Sequence, residues 1–213
     1  MDIPLHPDCR LLKADSCGLV AVEKAVGVLS HPNSKRDLHV SVLDLPFDSE
    51  LEMYSIEGCS WHLLNRLDGP TSGILLLSSD PGVAAVVRKA FADHQVEKTY
   101  AAVVKGVPLP GQQKWRDRLL VNRKGGKLRT ATVRGKPDAE SLMECLKTAD
   151  SPPARSLLHL KPITGRTHQL RVQCASRHLP IVGDATYGDF RFNREFRRRT
   201  GVGRLFLHSW KTN

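Results

Sequence analysis

The chain has 213 residues, 40% hydrophobic and 25% charged, a length and composition that suit an ordinary globular protein with one well-buried domain or at most two small ones. Its 32 lysines and arginines against 22 aspartates and glutamates give a formal net charge of +10. That charge favours a polyanionic partner, most commonly nucleic acid; a basic protein without such a partner is the alternative. Apolar runs such as GILLL are far too short to span a bilayer, and the N-terminal MDIPLHPDCRLLKAD lacks a signal-peptide pattern.

The cysteines and histidines do not follow a metal-binding or disulfide pattern. The five cysteines are odd in number and contain no CxxC pair, so we expect reduced thiols in a cytoplasmic protein and no metal site. The histidines show no HExxH or similar ligand spacing. The sequence also lacks a GxSxG nucleophile elbow and a GxxxxGK[ST] phosphate loop.

The first half of the chain alternates between strand and loop patterns. Residues 18–25 predict a strand, residues 33–60 a mixed and irregular loop, and residues 74–79 a fully buried strand. A helix follows, with Asp80 as its N-cap and Pro81 in the first helical position. We expect one apolar face on this helix, formed by Val83, Val86, Val87, Ala90 and Phe91.

The second half is richer in strands. Residues 98–106, 141–148 and 155–162 predict strands, and residues 166–177 predict a helix for which Thr167 is the expected cap. The stretch 111–136 is expected to form a hairpin that turns at Gly125-Gly126. A tail follows in which six arginines cluster: Arg191, Arg194, Arg197, Arg198, Arg199 and Arg204.

These elements predict an α+β fold with a long, mostly antiparallel sheet flanked by helices. The strands come in consecutive runs with only occasional helices between them, which argues against a doubly wound fold. No linker-like segment divides the chain, so we expect a single domain over residues 1–213.

Two short stretches of the sequence contain charged residues that are candidates for a functional site. In LNRLDGPTSG, Arg66 and Asp68 flank one leucine beside a buried strand; Asp68 is either a functional carboxylate or a simple turn former before Gly-Pro. In PITGRTHQLR, Arg166 stands at the threshold of a helix, where an arginine can close on a buried carboxylate. Such a pair keeps the carboxylate ionised and fixes its orientation.

Five stretches of the sequence resemble the RluA-type RNA pseudouridine synthases. NRLDGPTSGILLL is similar to their HRLDxxTSGLLLL motif, KTYAAVVKG to their second motif, and LHLKPITGRTHQLRVQCASRHLPIVGDATYGD to their third and its continuation. VAVEKAVGVLSHP is similar to the opening strand, and RLFLHSW to a late strand with an LHA-like run. The resemblance spans about residues 18–210, and GDFRFNREF with its arginine-rich sequel looks most like the TruC-like branch, which acts on transfer RNA.

The resemblance implies the pseudouridine synthase fold with a central basic cleft, and an enzyme that turns a specific uridine into pseudouridine without a cofactor. Asp68 matches the family aspartate, which attacks C1′ of the ribose or removes a sugar proton; both routes stay open. Tyr100 matches the tyrosine that packs against the target base, and Arg166 the arginine that pairs with the aspartate. Arg66 is expected to contact the RNA or fill the gap left by a flipped base.

Structured RNA, with transfer RNA favoured over ribosomal RNA, is the expected partner of a monomer that does not bind membranes. The basic segments 114–136 and 191–204 are expected to contact phosphates, with a solvated basic face as the alternative. The expected RNA contacts are Arg66, Thr71, His168, Arg171, Arg197 and Arg198.

The sequence departs from the family pattern at Asn65, which replaces a histidine, and at Ala25-Val26, which replaces a proline-containing pair. We also expect no separate N-terminal RNA-binding module. Asn65 is the one feature that favours the alternative function, a catalytically silent RNA-binding protein that retains the fold. The intact Asp68, Tyr100 and Arg166 favour the enzyme.

Overall fold

The computed structural model describes residues 3–124, 127–149 and 153–213, with the side chains of Lys124 and Lys127 excepted. The chain divides into two compact units, Met1–Val96 and Glu97–Asn213. Helices and antiparallel strands occur in both, which confirms the α+β class. Whether the two units act as the single predicted domain stays a prediction.

The first unit is a meander of short strands centred on one buried strand. Its elements are β1 (Arg10–Ala14), β2 (Leu19–Lys24), a 3₁₀ helix (Lys35–Val40), β3 (Phe47–Asp48), β4 (Met53–Ile56), β5 (Cys59–Leu63), β6 (Ser72–Ser78) and α1 (Pro81–Ala92). Strand β6 pairs with β2 on one side and with β5 on the other, and all these pairings are antiparallel. Leu75 and Leu77 of β6 are fully buried, as predicted for a core strand.

The irregular loop predicted for residues 33–60 is wrong. The segment contains the 3₁₀ helix, the strands β3 and β4 and the first two residues of β5. Tyr54 and Trp61 face each other across β4 and β5, and both are completely buried. The acidic residues that suggested a loop occupy the turns and exposed edges, whereas these two aromatic side chains anchor the strands.

Helix α1 confirms its predicted start and corrects its predicted face. The Asp80 carboxylate accepts a hydrogen bond from the backbone N–H of Val83 at 2.8 Å, as an N-cap residue does. Val86 is 70% exposed, whereas Ala84 is buried. The apolar stripe is therefore rotated away from Val86.

The second unit is a six-stranded antiparallel array with two helices. Its elements are β7 (Lys98–Lys105), β8 (Gln113–Lys124), β9 (Lys127–Val133), β10 (Ala139–Ala149), β11 (Arg155–Pro162), α2 (Gln169–Ser176), α3 (Phe190–Thr200) and β12 (Leu207–Thr212). The strand order is β12-β7-β11-β10-β8-β9. Strands β8 and β9 are the arms of the predicted hairpin, but its predicted turn at Gly125-Gly126 lies outside the described residues.

Two predictions for the helices of this unit need correction. Thr167 does not cap α2; the N-cap is His168, whose backbone is left-handed with φ of 54°. The arginine-rich tail is not a tail, because residues Phe190–Thr200 form helix α3. Asp189 caps α3 by accepting from the N–H of Phe192 at 2.9 Å, and Gly201 ends it with φ of 74°.

Candidate active site

Asp68 lies on a tight turn that leads into β6. The backbone N–H of Thr71 donates to the Asp68 carbonyl at 2.9 Å, which closes a four-residue turn through Gly69 and Pro70. Residues 64–68 belong to no strand, so the predicted strand edge is instead an ordered loop. Leu67 is buried in it, Asp68 is half-buried, and the Arg66 side chain is 61% exposed.

A fully buried lysine side chain holds this turn in place through hydrogen bonds. The Lys24 ammonium donates to the carbonyls of Ala25, Val28 and Gly69, at 3.0, 2.5 and 3.1 Å. Burial lowers the pKa of Lys24 to about 8, although the nearby Asp68 carboxylate opposes this shift. The backbone N–H of Gly27 also donates to the Gly69 carbonyl, at 2.9 Å, so the loop after β2 and the turn are joined twice.

A buried serine fixes the residue before Asp68. The Ser30 hydroxyl donates to the Leu67 carbonyl and accepts from the Leu67 N–H, both at 2.9 Å. Leu67 therefore has its backbone donor and acceptor satisfied by one side chain. Together, Lys24 and Ser30 leave the Asp68 backbone little freedom to move.

Asn65 has a structural role in the same loop. Its side-chain oxygen accepts a hydrogen bond from the backbone N–H of Leu76 at 2.8 Å. The amide thus satisfies a donor on β6 beside the loop that carries Asp68. Asn65 therefore makes a structural hydrogen bond at the position where the family resemblance leads us to expect a histidine.

Arg66 has an acidic neighbour in the same unit. Its guanidinium Nη1 lies 3.3 Å from the Glu52 Oε1, and both side chains are substantially exposed. Of the residues predicted around the site, Arg66, Asp68 and Thr71 are brought together in one loop. Thr71 is only 2% exposed, and its predicted contact with RNA stays a prediction.

Tyr100 and Arg166 belong to the second unit. Tyr100 lies on β7 between Ser209 of β12 and Leu160 of β11, half-buried against the hydrophobic core. Arg166 stands in the loop before α2, 49% exposed, and its Nη2 lies 3.4 Å from the Asp138 carboxylate. Its predicted pairing with Asp68 stays a prediction.

Arg171 is buried rather than presented to a ligand as a surface cation. Its guanidinium makes two hydrogen bonds of 2.8 Å to the Asp184 carboxylate, and both side chains are at most 5% exposed. Asp184 also accepts from the N–H groups of Thr186 and Tyr187. This buried ion pair gives Arg171 a structural partner, and its predicted contact with RNA stays a prediction.

Asp184 loses solvent on burial, which raises the pKa of its carboxyl, but the bonds from Arg171 outweigh that effect and leave the pKa below its ordinary value. Asp184 is not among the site residues predicted from the sequence, where it lies within the continuation of the third motif. The sequence signal for Asp184 is that it directly follows Gly183, since a glycine and an aspartate together favour a tight turn. In the structure Gly183 has a φ of 75°.

His168 and the arginines of α3 lie elsewhere in the second unit. The His168 Nδ1 is 2.7 Å from the Tyr187 hydroxyl, which in turn accepts from the backbone N–H of Thr130. Arg197, Arg198 and Arg199 are exposed in the last turn of α3. Arg198 and Arg199 both contact the Glu195 carboxylate, and their hydrogen bonds lower the pKa of Glu195 to about 2.

The described residues contain no group of three or more His, Cys, Asp or Glu side chains arranged to hold a metal ion. None of the helices described is long and apolar enough to cross a membrane. In the first unit, Lys24 and the exposed Arg66–Glu52 pair are ionisable groups close to the Asp68 turn. They can orient a carboxylate that reacts with an RNA sugar or base.

Comparison with known proteins identifies the class to which this arrangement belongs. The family described as RNA pseudouridylate synthase matches residues 18–176, a range that includes the Asp68 turn, Tyr100 and α2. The chain belongs to this family, and it is an isomerase that converts uridine to pseudouridine.

Individual relatives support the same assignment. The chain is 35% identical over 201 residues to the tRNA pseudouridine synthase C of Yersinia pestis, covering 90% of this chain and 75% of that protein. It is 34% identical over 204 residues to the protein of that name from Vibrio cholerae, covering 90% and 79%. The solved structure of Human RNA Pseudouridylate Synthase Domain Containing 4 is 25% identical with a TM-score of 0.68, over 95% of this chain and 82% of that one.

A second human structure, Human RNA Pseudouridylate Synthase Domain Containing 1, shares the fold. Its TM-score is 0.73 at 24% identity, over 100% of this chain and 80% of that one. The expected pseudouridine synthase fold is therefore confirmed.

Proposed function

We propose that the chain isomerises a uridine of transfer RNA, and that Asp68 is the reacting carboxylate. The observation that carries the proposal is the mounting of Asp68 on a turn that the buried Lys24 and Ser30 hold in place. A group that must meet one carbon atom of a substrate needs such a fixed position. The names of the bacterial relatives support transfer RNA over ribosomal RNA.

The reaction breaks the bond between uracil N1 and C1′ and forms a bond between C5 and C1′. The proton on C5 leaves and N1 gains one, so the step is a balanced isomerisation that needs no oxidant or reductant. Asp68 either bonds to C1′ while the base turns or removes a sugar proton. Both routes need an ionised carboxylate.

The remaining site residues have assigned roles in this proposal. The uridine must leave its stack before Asp68 can reach C1′, and the exposed Arg66 contacts the RNA at that point or fills the gap. Tyr100 packs against the uracil and relays the C5 proton. Arg166 pairs with Asp68 and fixes the orientation of its carboxylate.

Phosphates of the RNA are bound by exposed basic residues. Arg197 and Arg198 on α3 are two of these, together with the ribbon of β8 and β9. We propose that the enzyme acts as a monomer in the cytoplasm. The alternative of a silent RNA-binding protein depended on Asn65, whose amide has a structural partner in Leu76, and no observation favours it.

The test compares substrates directly. The purified chain is incubated with unmodified transfer RNA and with ribosomal RNA fragments, and pseudouridine is mapped in each. We expect one modified position in transfer RNA and none in the ribosomal fragments. Modification confined to ribosomal RNA refutes the substrate assignment, and modification of neither refutes the proposed function. Mapping the same RNAs from cells with and without the gene identifies the natural site.

A further inference from the structure

Glu52, just before β4, has an unusual backbone for its residue type. Its φ is 48°, in the left-handed region, which non-glycine residues adopt only at a cost in conformational energy. The preceding turn is ordered, because the Asp48 carboxylate accepts hydrogen bonds from the N–H groups of Glu50 and Leu51 at 2.8 and 3.0 Å. Glu52 is therefore held in this conformation within a well-defined turn.

The Glu52 carbonyl is fixed from two directions. It accepts from the backbone N–H of Leu63 at 2.9 Å and from the Arg88 guanidinium at 2.8 Å. The same guanidinium donates to the carbonyls of Leu51 and Leu63. Arg88 of α1 thus ties the turn to the end of β5, from which the Asp68 loop departs.

This constrained backbone directs the Glu52 carboxylate toward Arg66. The Arg66 Nη1 lies 3.3 Å from the Glu52 Oε1. Both side chains are exposed, at 43% for Glu52 and 61% for Arg66, so their attraction contributes little to folding. A residue with a strained backbone, whose side chain contributes so little to stability, is characteristic of a functional position.

We propose that Glu52 is a positioning residue that orients the Arg66 guanidinium for its contact with RNA. The inference depends on the role of Arg66 in the proposed function. In the free protein the pair holds a long, flexible side chain near the orientation that it needs. Binding then orders fewer rotatable bonds, so more of the bound complexes are productive.

A competing role for Glu52 makes the opposite prediction. If the carboxylate only repels phosphates, its removal strengthens RNA binding and leaves the rate of the bound complex unchanged. Glu57, an exposed carboxylate between β4 and β5, provides a control for charge, because Glu57→Gln changes the net charge as much as Glu52→Gln does. No ion pair to Glu57 is found among the described residues.

The experiment is a double-mutant cycle in single-turnover tritium release from uracil-5-tritiated transfer RNA, with RNA saturating. Glu52→Gln is expected to lower the rate about three- to fivefold, the range that an exposed ion pair allows, and Glu57→Gln to leave it unchanged. In an Arg66→Ala background, Glu52→Gln is expected to cause no further loss.

Glu52→Gly adds a readout of the strain. Glycine adopts positive φ freely, so this variant is expected to melt at a higher temperature while losing the same activity as Glu52→Gln.

Three outcomes overturn the inference: a wild-type rate for Glu52→Gln, an equal loss for Glu57→Gln, or a full Glu52→Gln effect without Arg66. They are distinct from a failure of the proposed function, in which the wild-type protein itself releases no tritium. That result refutes both.

Discussion

The ammonium of Lys24 and the carbonyl of Gly69 are joined by a hydrogen bond of 3.1 Å, across 45 residues of sequence. Gly69 follows Asp68 directly, so a lysine that is completely buried holds the turn that carries Asp68, the proposed reacting carboxylate. We expect Lys24→Met to lower the single-turnover rate more than tenfold, because the turn loses its fixed position. Binding of transfer RNA is the control, and it should change little. A wild-type rate would show that the turn is held without Lys24.

The pH dependence of stability tests the state of the same ammonium. Burial lowers the pKa of Lys24 to about 8 from an ordinary value of 10.5. Between these two values the unfolded chain binds more protons at Lys24 than the folded chain, so the Lys24 contribution to stability rises with pH. The free energy of unfolding of wild type relative to Lys24→Met should therefore increase from pH 8 to pH 10, by up to about 3 kcal/mol. Urea titrations at several pH values measure this difference, and a constant difference would contradict the assignment.

The Arg171–Asp184 pair is predicted to stabilise the second unit. Asp184→Asn removes the carboxylate charge that accepts two hydrogen bonds from the buried Arg171 guanidinium, so we expect a loss of about 3–5 kcal/mol in the free energy of unfolding. Glu195→Gln, which breaks an exposed cluster with Arg198 and Arg199, is a matched control with a much smaller expected loss. Equal losses for the two variants in urea unfolding would contradict the structural role of Arg171.

The lowered pKa of Asp184 also predicts a loss of stability in acid. Its folded-state pKa is lowered, so the stability it contributes is present above the unfolded value of 3.8 and is lost as pH falls through the folded value. The difference in unfolding free energy between wild type and Asp184→Asn should shrink below pH 4. A difference that stays unchanged down to pH 2 would contradict the lowered pKa.

The arginines at the end of α3 are predicted to contact phosphates. Replacing Arg197, Arg198 and Arg199 together by glutamine should weaken RNA binding and reduce the slope of log affinity against log salt by up to about 2. Glu195→Gln should act in the opposite direction, because Arg198 and Arg199 lose their competing carboxylate. Filter binding at several salt concentrations measures both. An unchanged slope in the triple variant would mean that α3 faces solvent in the complex.

The sequence predicted the parts of the fold that are determined by residues close to one another in the chain. Strand β6 reads as a buried run, and α1 begins at an Asp-Pro pair whose capping is purely local. Helix α3 was missed because five of its residues are arginines, although Asp189 and Gly201 carry ordinary cap signals. Strands β4 and β5 were missed because their acidic turns obscured Tyr54 and Trp61, the side chains that bury the hairpin.

The candidate site was predictable only in part for the same reason. Asp68 and Arg66 are visible in sequence as neighbours before a Gly-Pro turn. The contacts that fix them come from far along the chain: Lys24 to Gly69, Ser30 to Leu67, and Glu52 to Arg66. No spacing rule connects these residues, since their proximity depends on how β2, β4 and β5 pair.

The most direct test of the account is single-turnover tritium release by Asp68→Asn, with filter binding of the same uracil-5-tritiated transfer RNA alongside. The amide keeps the shape of the side chain, but it cannot act as a nucleophile or as a base. We predict no release above background, with an RNA dissociation constant within about threefold of wild type, since the proposed phosphate contacts come from basic residues and not from Asp68. Turnover at the wild-type rate would contradict the assignment of Asp68 as the reacting carboxylate.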